Sequence, residues 1–231
     1  MKRNNVCLSC NDCNSNSELF KVLNNEEADL LNVERYEVHF KAGENIVKQG
    51  TILTHLTNLI KGFAKVYIEG YGNKNLLLNL IGPNTLLGGQ GLFSSGRNQY
   101  TITALEDSIV CFVNAESFKS VLHSNSEFAE RYFRQLNNEA IFSYNKLLGL
   151  TQKQMHGRMA DALIYMADKV FKKNEFELPF GRQDLADMTA MSKDSAIRIL
   201  KELEKDGFAN FSGRKVSVKN MTGLINLSEN G

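Results

Sequence analysis

The cysteines are the residues of this sequence whose spacing could do metal or redox chemistry. Cys7, Cys10 and Cys13 are each separated by two residues, and Cys111 is the only other cysteine in the chain. Four thiolates are the ligand count of a [4Fe–4S] cluster or of a tetrahedral zinc site. The pattern leaves two alternatives open: redox-active thiols, or no metal at all, with Cys111 a small buried hydrophobic residue.

A second group of residues has the spacing of a helix pair that could read DNA. The pattern predicts a short helix over 182–189, a turn, and a second helix over 192–206 with Ser192 as its N-cap. The apolar residues of the second helix share one stripe. Its opposite face carries Lys193, Asp194, Ile197, Arg198 and Lys201. Because the exposed face of a helix is about 10 Å wide and this one carries cations near its start, it suits a DNA major groove.

The same residues could also form an ordinary solvated helical hairpin, since short amphipathic helices are common. Ile197 favours DNA, because an apolar side chain on a polar face suits contact with a thymine methyl group. A basic hairpin over 208–218, with Arg214 and Lys215 at its turn, lies where a winged helix-turn-helix places a wing on the phosphates. We expect this hairpin to close the chain. Ala190 counts against the motif, because many such turns use glycine.

Composition describes an ordinary globular protein. The chain has 231 residues, 42% hydrophobic and 23% charged, with a net charge of +1. These values fit one large domain or two small ones, and they do not by themselves indicate nucleic acid. No apolar run approaches about 18 residues, and the first residues are polar. The sequence therefore predicts a cytoplasmic protein with no membrane partner and no signal peptide.

The remaining pattern predicts an α+β fold that would position both groups. Short apolar or alternating runs punctuated by glycine predict an antiparallel β roll of the jelly-roll type. The runs span residues 37–40, 64–68, 75–81, 101–104 and 109–113. Helical periodicity then begins near residue 126, and a second helix is predicted over 151–171. The long helix has an apolar stripe that suits a symmetric dimer seam, although burial within the monomer is the alternative. The predicted parts are a cysteine-containing arm (1–17), the β-roll sensor domain (18–124), the dimerisation helix (125–150) and the winged helix-turn-helix domain (151–231).

Over residues 18–220 the chain resembles the Crp/Fnr family of bacterial transcription regulators. The stretches that carry the resemblance are 181–186 with 191–203, then 88–93, and 104–111. The resemblance implies a cyclic-nucleotide-binding-type roll, a long dimerisation helix and a winged helix-turn-helix. It also implies a homodimer without catalytic activity that binds double-stranded DNA at a near-palindromic operator and contacts RNA polymerase.

The resemblance assigns roles to individual residues of the helix pair. It places Arg198 on a guanine, Lys193 on a base or phosphate, and Asp194 where the family usually has a glutamate that accepts from cytosine. The full set of residues expected to contact DNA is Arg182, Gln183, Ser192, Lys193, Asp194, Ser195, Ile197, Arg198, Lys201, Arg214 and Lys215. Arg182 and Gln183 match phosphate-facing positions of the first helix.

The resemblance also argues against cyclic AMP as the effector. In family members that bind it, a glutamate holds the ribose and an arginine holds the cyclic phosphate. Gly89 stands at the glutamate position, Gln99 and Tyr100 stand near the arginine, and Arg97 comes two residues earlier. Without the charge partner of the phosphate, a strong hydrogen bond is lost. We expect the pocket formed by Gly89, Gln90, Arg97, Gln99 and Tyr100 to be empty or to take another small molecule.

For the cysteines, the resemblance implies an oxygen sensor. Cys111 matches the position of the distant fourth thiolate in the oxygen-sensing branch of the family, which implies a labile [4Fe–4S] cluster that controls dimerisation. The predicted function is therefore a DNA-binding regulator that responds to oxygen or redox state. The alternatives are an iron–sulfur or thiol redox protein whose helical C-terminus merely packs, and a β-roll module that binds a small molecule.

Overall fold

The computed structural model describes residues 18–231, so Cys7, Cys10 and Cys13 lie outside the described residues. The described chain forms two compact units, one of residues 18–66 with 81–140 and one of residues 67–80 with 141–231. Within the described range, no helix is long and apolar enough to cross a membrane. The predicted α+β fold, with a roll, a long helix and a helix-turn-helix, is confirmed.

Two four-stranded sheets form the roll, with strand orders β1-β8-β3-β6 and β2-β7-β4-β5. The strands are β1 (Tyr36–Phe40), β2 (Asn45–Val47), β3 (His55–Lys61), β4 (Ala64–Glu69), β5 (Asn75–Ile81), β6 (Thr85–Leu87), β7 (Thr101–Ala104) and β8 (Ser108–Asn114). This order, in which the last strand pairs between the first and the third, is that of a jelly roll. Gly62 lets β3 turn into β4, since it has φ +93° and a side chain there would overlap the Ser108 hydroxyl.

Helices cover the first sheet of the roll. They are a short 3-10 helix (Phe20–Val22), α1 (Asn25–Asn32), α2 (Gly89–Leu92), α3 (Ala115–Ser124) and the first part of α4 (Ser126–Gln152). The core beneath them is aromatic: the ring of Phe118 lies 5.2 Å from that of Phe128 and 5.1 Å from that of Tyr132. All three side chains are buried. This contact anchors the long helix to the roll, because fully buried aromatic pairs add stacking energy to their burial.

The second unit holds the helix-turn-helix. After α4 come α5 (Met155–Tyr165), a π-helical turn (Met166–Val170), β9 (Glu175–Glu177), α6 (Arg182–Thr189), α7 (Lys193–Lys205), β10 (Ala209–Ser212), β11 (Lys215–Val218) and α8 (Met221–Asn230). The three strands form one sheet in the order β10-β11-β9. Its core includes the buried side chains of Met159, Leu163, Leu185, Ile199 and Leu203.

The second predicted helix is present over most of its range, because α5 and the π-helical turn run from Met155 to Val170. Its start is displaced, since α4 continues to Gln152. One expectation for this unit was wrong. The hairpin does not close the chain, because α8 follows it. Ser228 of α8 lies 2.8 Å from the Lys153 ammonium and also bonds Asp161 of α5. These polar contacts, with Leu224 fully buried, explain why the extra helix packs there.

Lys146 is a half-buried lysine that ties α4 to β5 within the second unit. Its ammonium donates to the carbonyl oxygens of Leu77 at 2.6 Å and Leu78 at 2.8 Å. Close by, the Tyr165 hydroxyl lies 3.0 Å from the Leu80 carbonyl oxygen. Burial lowers the pKa of Lys146 to about 8, because the charged form loses its hydration there.

The half-buried lysine predicts a pH-dependent stability that Lys146→Met should abolish. The folded pKa lies below the ordinary value of 10.5, so the unfolded chain binds more protons between pH 8 and 10.5. Wild-type stability should therefore rise by about 1 kcal/mol from pH 7 to pH 9 relative to the variant. Urea unfolding at both pH values measures the difference. Parallel pH profiles for the two proteins would contradict the assignment.

Candidate nucleic-acid interface

The turn between α6 and α7 forms as the sequence predicts. Ser192 caps α7, since its hydroxyl accepts from the Ser195 amide at 3.1 Å. The predicted apolar stripe of α7 is buried: Ala196, Ile199, Leu200 and Leu203. Ala190 ends α6 with φ +50°, a left-handed conformation that glycine adopts at lower cost, and so the turn carries backbone strain.

The opposite face of α7 is open to solvent. Lys193, Asp194, Arg198 and Lys201 are exposed, and Ile197 is half-buried beside them. The structure therefore brings all five predicted residues to one helix face. A face of this width with two cations at or near its first two turns can enter a major groove and approach base edges.

Arg198 is held in place by a residue that the sequence analysis missed. Its Nη1 donates to Glu202 Oε1 at 2.9 Å, one helical turn away. The other oxygen of Glu202 lies 2.7 Å from Nε2 of His156, on α5. The hydrogen bond with His156 and the pair with Arg198 lower the pKa of Glu202. The carboxylate is thus ionised and bridges two helices.

The β10–β11 hairpin forms the predicted wing. Arg214 and Lys215 are exposed at its turn, where Gly213 has φ +59°. Arg182 supports this turn from α6, because its Nη2 donates to the Gly213 carbonyl oxygen at 2.9 Å and its guanidinium lies 5.8 Å from the Phe211 ring centre. Partial burial lowers the pKa of Arg182. Arg182 therefore positions the wing, and its predicted phosphate contact stays a prediction.

The other polar residues of the helix pair have local partners. Gln183 is exposed and donates to Asp187 Oδ1 at 2.8 Å, one turn along α6. The hydroxyls of Ser192 and Ser195 lie 2.8 Å apart. Both serines therefore stabilise the start of α7, and their hydroxyls, like the Gln183 amide, have one partner already within the protein.

In the roll, the structure brings together only part of the predicted effector pocket. The Tyr100 hydroxyl accepts from the Gly88 amide at 2.8 Å and donates to Gln90 Oε1 at 3.2 Å. Gln90 in turn donates to Glu139 Oε2 of α4 at 2.7 Å. Burial raises the pKa of Glu139. Arg97 and Gln99 do not join this group. They donate instead to the Gly50 carbonyl oxygen and to Ser95 Oγ, in exposed loops.

Gly89 is packed against the long helix. A side chain at position 89 would overlap the Tyr132 hydroxyl and come within 2.8 Å of Leu136 Cδ2. The Tyr132 hydroxyl is buried and has no hydrogen-bond partner among the described residues. Burial raises the pKa of Tyr132. The space beside Gly89 is thus filled by Tyr132 and Leu136 of α4.

Cys111 lies on β8 in the core of the first unit. It is 4% exposed, and Nη1 of Arg35 lies 3.5 Å from its sulfur. The same guanidinium pairs with Glu37 at 3.0 Å. Within residues 18–231 no group of three or more His, Cys, Asp or Glu side chains could hold a metal ion. Of the four predicted ligands, the structure describes Cys111 alone.

Comparison with known proteins gives matches to both halves of this architecture. A family profile described as the cyclic nucleotide-binding domain matches residues 37–125, and one described as the Crp-like helix-turn-helix domain matches residues 157–227. The Fumarate and nitrate reduction regulatory protein of Escherichia coli (strain K12) is 25% identical over 230 residues, covering 96% of this chain and 90% of the relative. The Anaerobic regulatory protein of Pasteurella multocida is 23% identical, covering 96% of this chain and 83% of the relative.

Solved structures share the fold. FixK2 from Bradyrhizobium japonicum aligns with a TM-score of 0.76 at 20% identity, covering 84% of this chain and 96% of that one. A variant of CooA from Carboxydothermus hydrogenoformans aligns with a TM-score of 0.73 at 20% identity, covering 92% and 96%. A β roll followed by a helix-turn-helix with an exposed basic face defines the class of DNA-binding transcription regulators. Within that class, the chain belongs to the Crp/Fnr family.

Proposed function

We propose that this protein regulates transcription as a homodimer that binds a near-palindromic operator in double-stranded DNA. The observation that carries the proposal is the open face of α7. This solvent-exposed strip is formed by Lys193, Asp194, Ile197, Arg198 and Lys201. A regulator bound beside a promoter can also contact RNA polymerase, and we propose RNA polymerase as a second partner.

Each part of the interface has a separate task in this proposal. The guanidinium of Arg198 can bond O6 and N7 of one guanine together, which specifies a base pair. The lysines of α7 and the wing residues Arg214 and Lys215 face the phosphates, where they add affinity that does not depend on sequence. Ile197 lies between the cations on this face and can contact a thymine methyl group.

Apolar side chains on α4 support the homodimer. Phe133, Ile141, Tyr144, Leu147 and Leu148 are between 52% and 69% exposed in the single chain, so burial within the monomer does not account for them. Exposed apolar stripes of this kind mark interaction surfaces. A two-fold axis beside α4 would cover the stripe with its own copy, because an isologous contact uses the same surface twice.

Selection of bound sequences from random DNA tests the proposal. The anaerobically purified protein should enrich two inverted copies of one half-site, with centres about 10 base pairs apart, because a two-fold dimer places its recognition helices one DNA turn apart. Enrichment of an unpaired site, or no enrichment, would contradict the proposed function. Competition with unrelated duplex at the same salt concentration separates specific binding from phosphate contacts.

We further propose that cyclic AMP is not the effector. The packing of Tyr132 against Gly89 supports this, since the ribose-binding position has neither a carboxylate nor room for one. Gln99 supplies no positive charge for a cyclic phosphate, and Arg97 donates to the Gly50 carbonyl oxygen instead. A roll closed by its own tyrosine can serve as a rigid support for α4 without any bound nucleotide.

We also propose that Cys7, Cys10, Cys13 and Cys111 hold a [4Fe–4S] cluster. The contact between Arg35 and Cys111 fits this ligand set, because it places a positive charge 3.5 Å from the sulfur that would ligate iron. Leu19 and Phe20 belong to the same core as Cys111, and a chain of six residue-to-residue steps, the sequence separation of Cys13 and Leu19, can span up to about 20 Å. When bound, the cluster would supply sensitivity to oxygen. The names of two relatives, which refer to anaerobic regulation and to fumarate and nitrate reduction, agree with this role.

Anaerobic reconstitution with iron and sulfide tests the cluster. The wild-type protein should gain visible absorption that Cys111→Ser lacks, because a cluster with three protein thiolates is less securely bound. Circular dichroism should show the same fold for both proteins. Identical visible spectra would rule out Cys111 as a ligand.

A further inference from the structure

The polar chain that runs from α5 to the exposed face of α7 has a geometry suited to orienting a side chain. Both oxygens of Glu202 are used: Oε1 accepts from Arg198 at 2.9 Å, and Oε2 lies 2.7 Å from His156 Nε2. A carboxylate cannot donate, so His156 must carry its proton on Nε2 for this hydrogen bond. The carboxylate is therefore fixed from behind by a second helix.

We propose that Glu202, anchored by His156, is a positioning residue that presents Arg198 to a guanine. The proposal rests on the proposed function, in which Arg198 reads that base. With Nη1 bonded to the carboxylate, the guanidinium still has its Nη2 and Nε donors free of this pair, and these two form the fork that matches guanine O6 and N7. The Arg198 side chain is 53% exposed on the open face of α7.

Preorganisation gives the reason why such a residue matters. A free arginine side chain loses rotamer freedom when it binds a base, and a guanidinium that is already held loses less. The effect falls on recognition of one base pair, not on attraction to DNA in general. The Glu202 carboxylate itself is negative and lies on the DNA-facing helix, so it should weaken attraction to phosphates. Loss of the carboxylate should therefore lower discrimination for guanine but not lower affinity for unrelated DNA. A purely structural residue would lower both, and this difference distinguishes the two roles.

Glu202→Gln provides the test, with the duplex recovered by wild-type protein from random DNA as the probe. The base pair that Arg198 reads is the one at which Arg198→Ala loses guanine preference. At that pair, we expect Glu202→Gln to lower discrimination for guanine by about two- to tenfold. This is the size of effect expected when one side chain must be ordered on binding instead of beforehand. Affinity for unrelated duplex should stay equal or rise.

Matched variants complete the design. Asp206→Asn removes the same charge from the end of α7, where the side chain is exposed, and it should leave guanine discrimination unchanged. His156→Ala should reproduce part of the loss, whereas His156→Gln keeps an N–H donor and should restore discrimination. Equal thermal unfolding of the variants ensures that the comparison concerns folded protein.

The outcomes separate the positioning role from the proposed function. Unchanged or increased guanine discrimination in Glu202→Gln would overturn the positioning role, and an increase would show that the carboxylate holds Arg198 away from DNA. A parallel loss of specific and unrelated binding, with lower thermal stability, would also overturn it by showing a purely structural role. If wild-type protein shows no guanine preference that depends on Arg198, the proposed function itself fails.

Discussion

Arg198→Ala should remove sequence-specific DNA binding while leaving the fold and the dimer intact. The side chain is exposed on α7 and its only described partner is Glu202, so its loss leaves no cavity. A bidentate contact to guanine discriminates by about 1–3 kcal/mol, and the two half-sites of a dimer double that loss. The operator should then be bound little better than unrelated DNA.

Fluorescence anisotropy with operator and unrelated duplex, at one fixed salt concentration, measures this prediction. Lys205→Ala is the matched control, since it removes a cation from the exposed far end of the same helix. Because Lys205 is not among the residues assigned to DNA, the control should leave the preference for operator over unrelated duplex unchanged. Operator selectivity that survives in Arg198→Ala would mean that another residue reads the base.

Tyr144→Glu should convert the protein to a monomer. Tyr144 is 69% exposed in the middle of the apolar stripe of α4, so the isolated subunit tolerates the change. In a two-fold seam, however, two carboxylates would be buried close together, and each buried unpaired charge costs several kcal/mol. Operator affinity should fall with the dimer, because each half-site would then be bound alone.

Sedimentation velocity measures the oligomeric state directly. Asn145→Glu adds the same charge one residue along the helix, about 100° around its axis, and should leave the dimer intact. A dimer that persists in Tyr144→Glu would place the subunit contact elsewhere. Equal dissociation in both variants would show that added charge, rather than the apolar stripe, decides assembly.

The sequence predicts those strands of the roll whose apolar and polar residues alternate or whose ends are marked by turn residues. Strands β5 (Asn75–Ile81) and β7 (Thr101–Ala104) match the predicted runs, because glycine turns or a polar boundary delimit them. Strand β3 was missed. Thr57 and Asn58 are both buried among its apolar residues, so successive positions face protein on both sides and the period of two disappears. Strands β2 and β6 have three residues each, too few to show any period.

The recognition helix was predictable because its signals are local. Ser192 and the apolar stripe both lie within α7 or beside it. The partners of the candidate sites were not predictable. His156 and Glu202 are 46 residues apart, and Tyr132 reaches Gly89 from another element, so only tertiary packing joins them. Helix α8 did have a local signal: Asn220 accepts from the Gly223 amide as an N-cap.

The contact between Gly89 and Tyr132 constrains the evolutionary routes open to this lineage. Placing a glutamate at position 89 would collide with the tyrosine ring, and trimming Tyr132 first would leave a void in the aromatic core with Phe118. Position 89 can therefore accept a larger side chain only if residue 132 changes as well. The two positions are expected to vary together, because each sets the space that is open to the other.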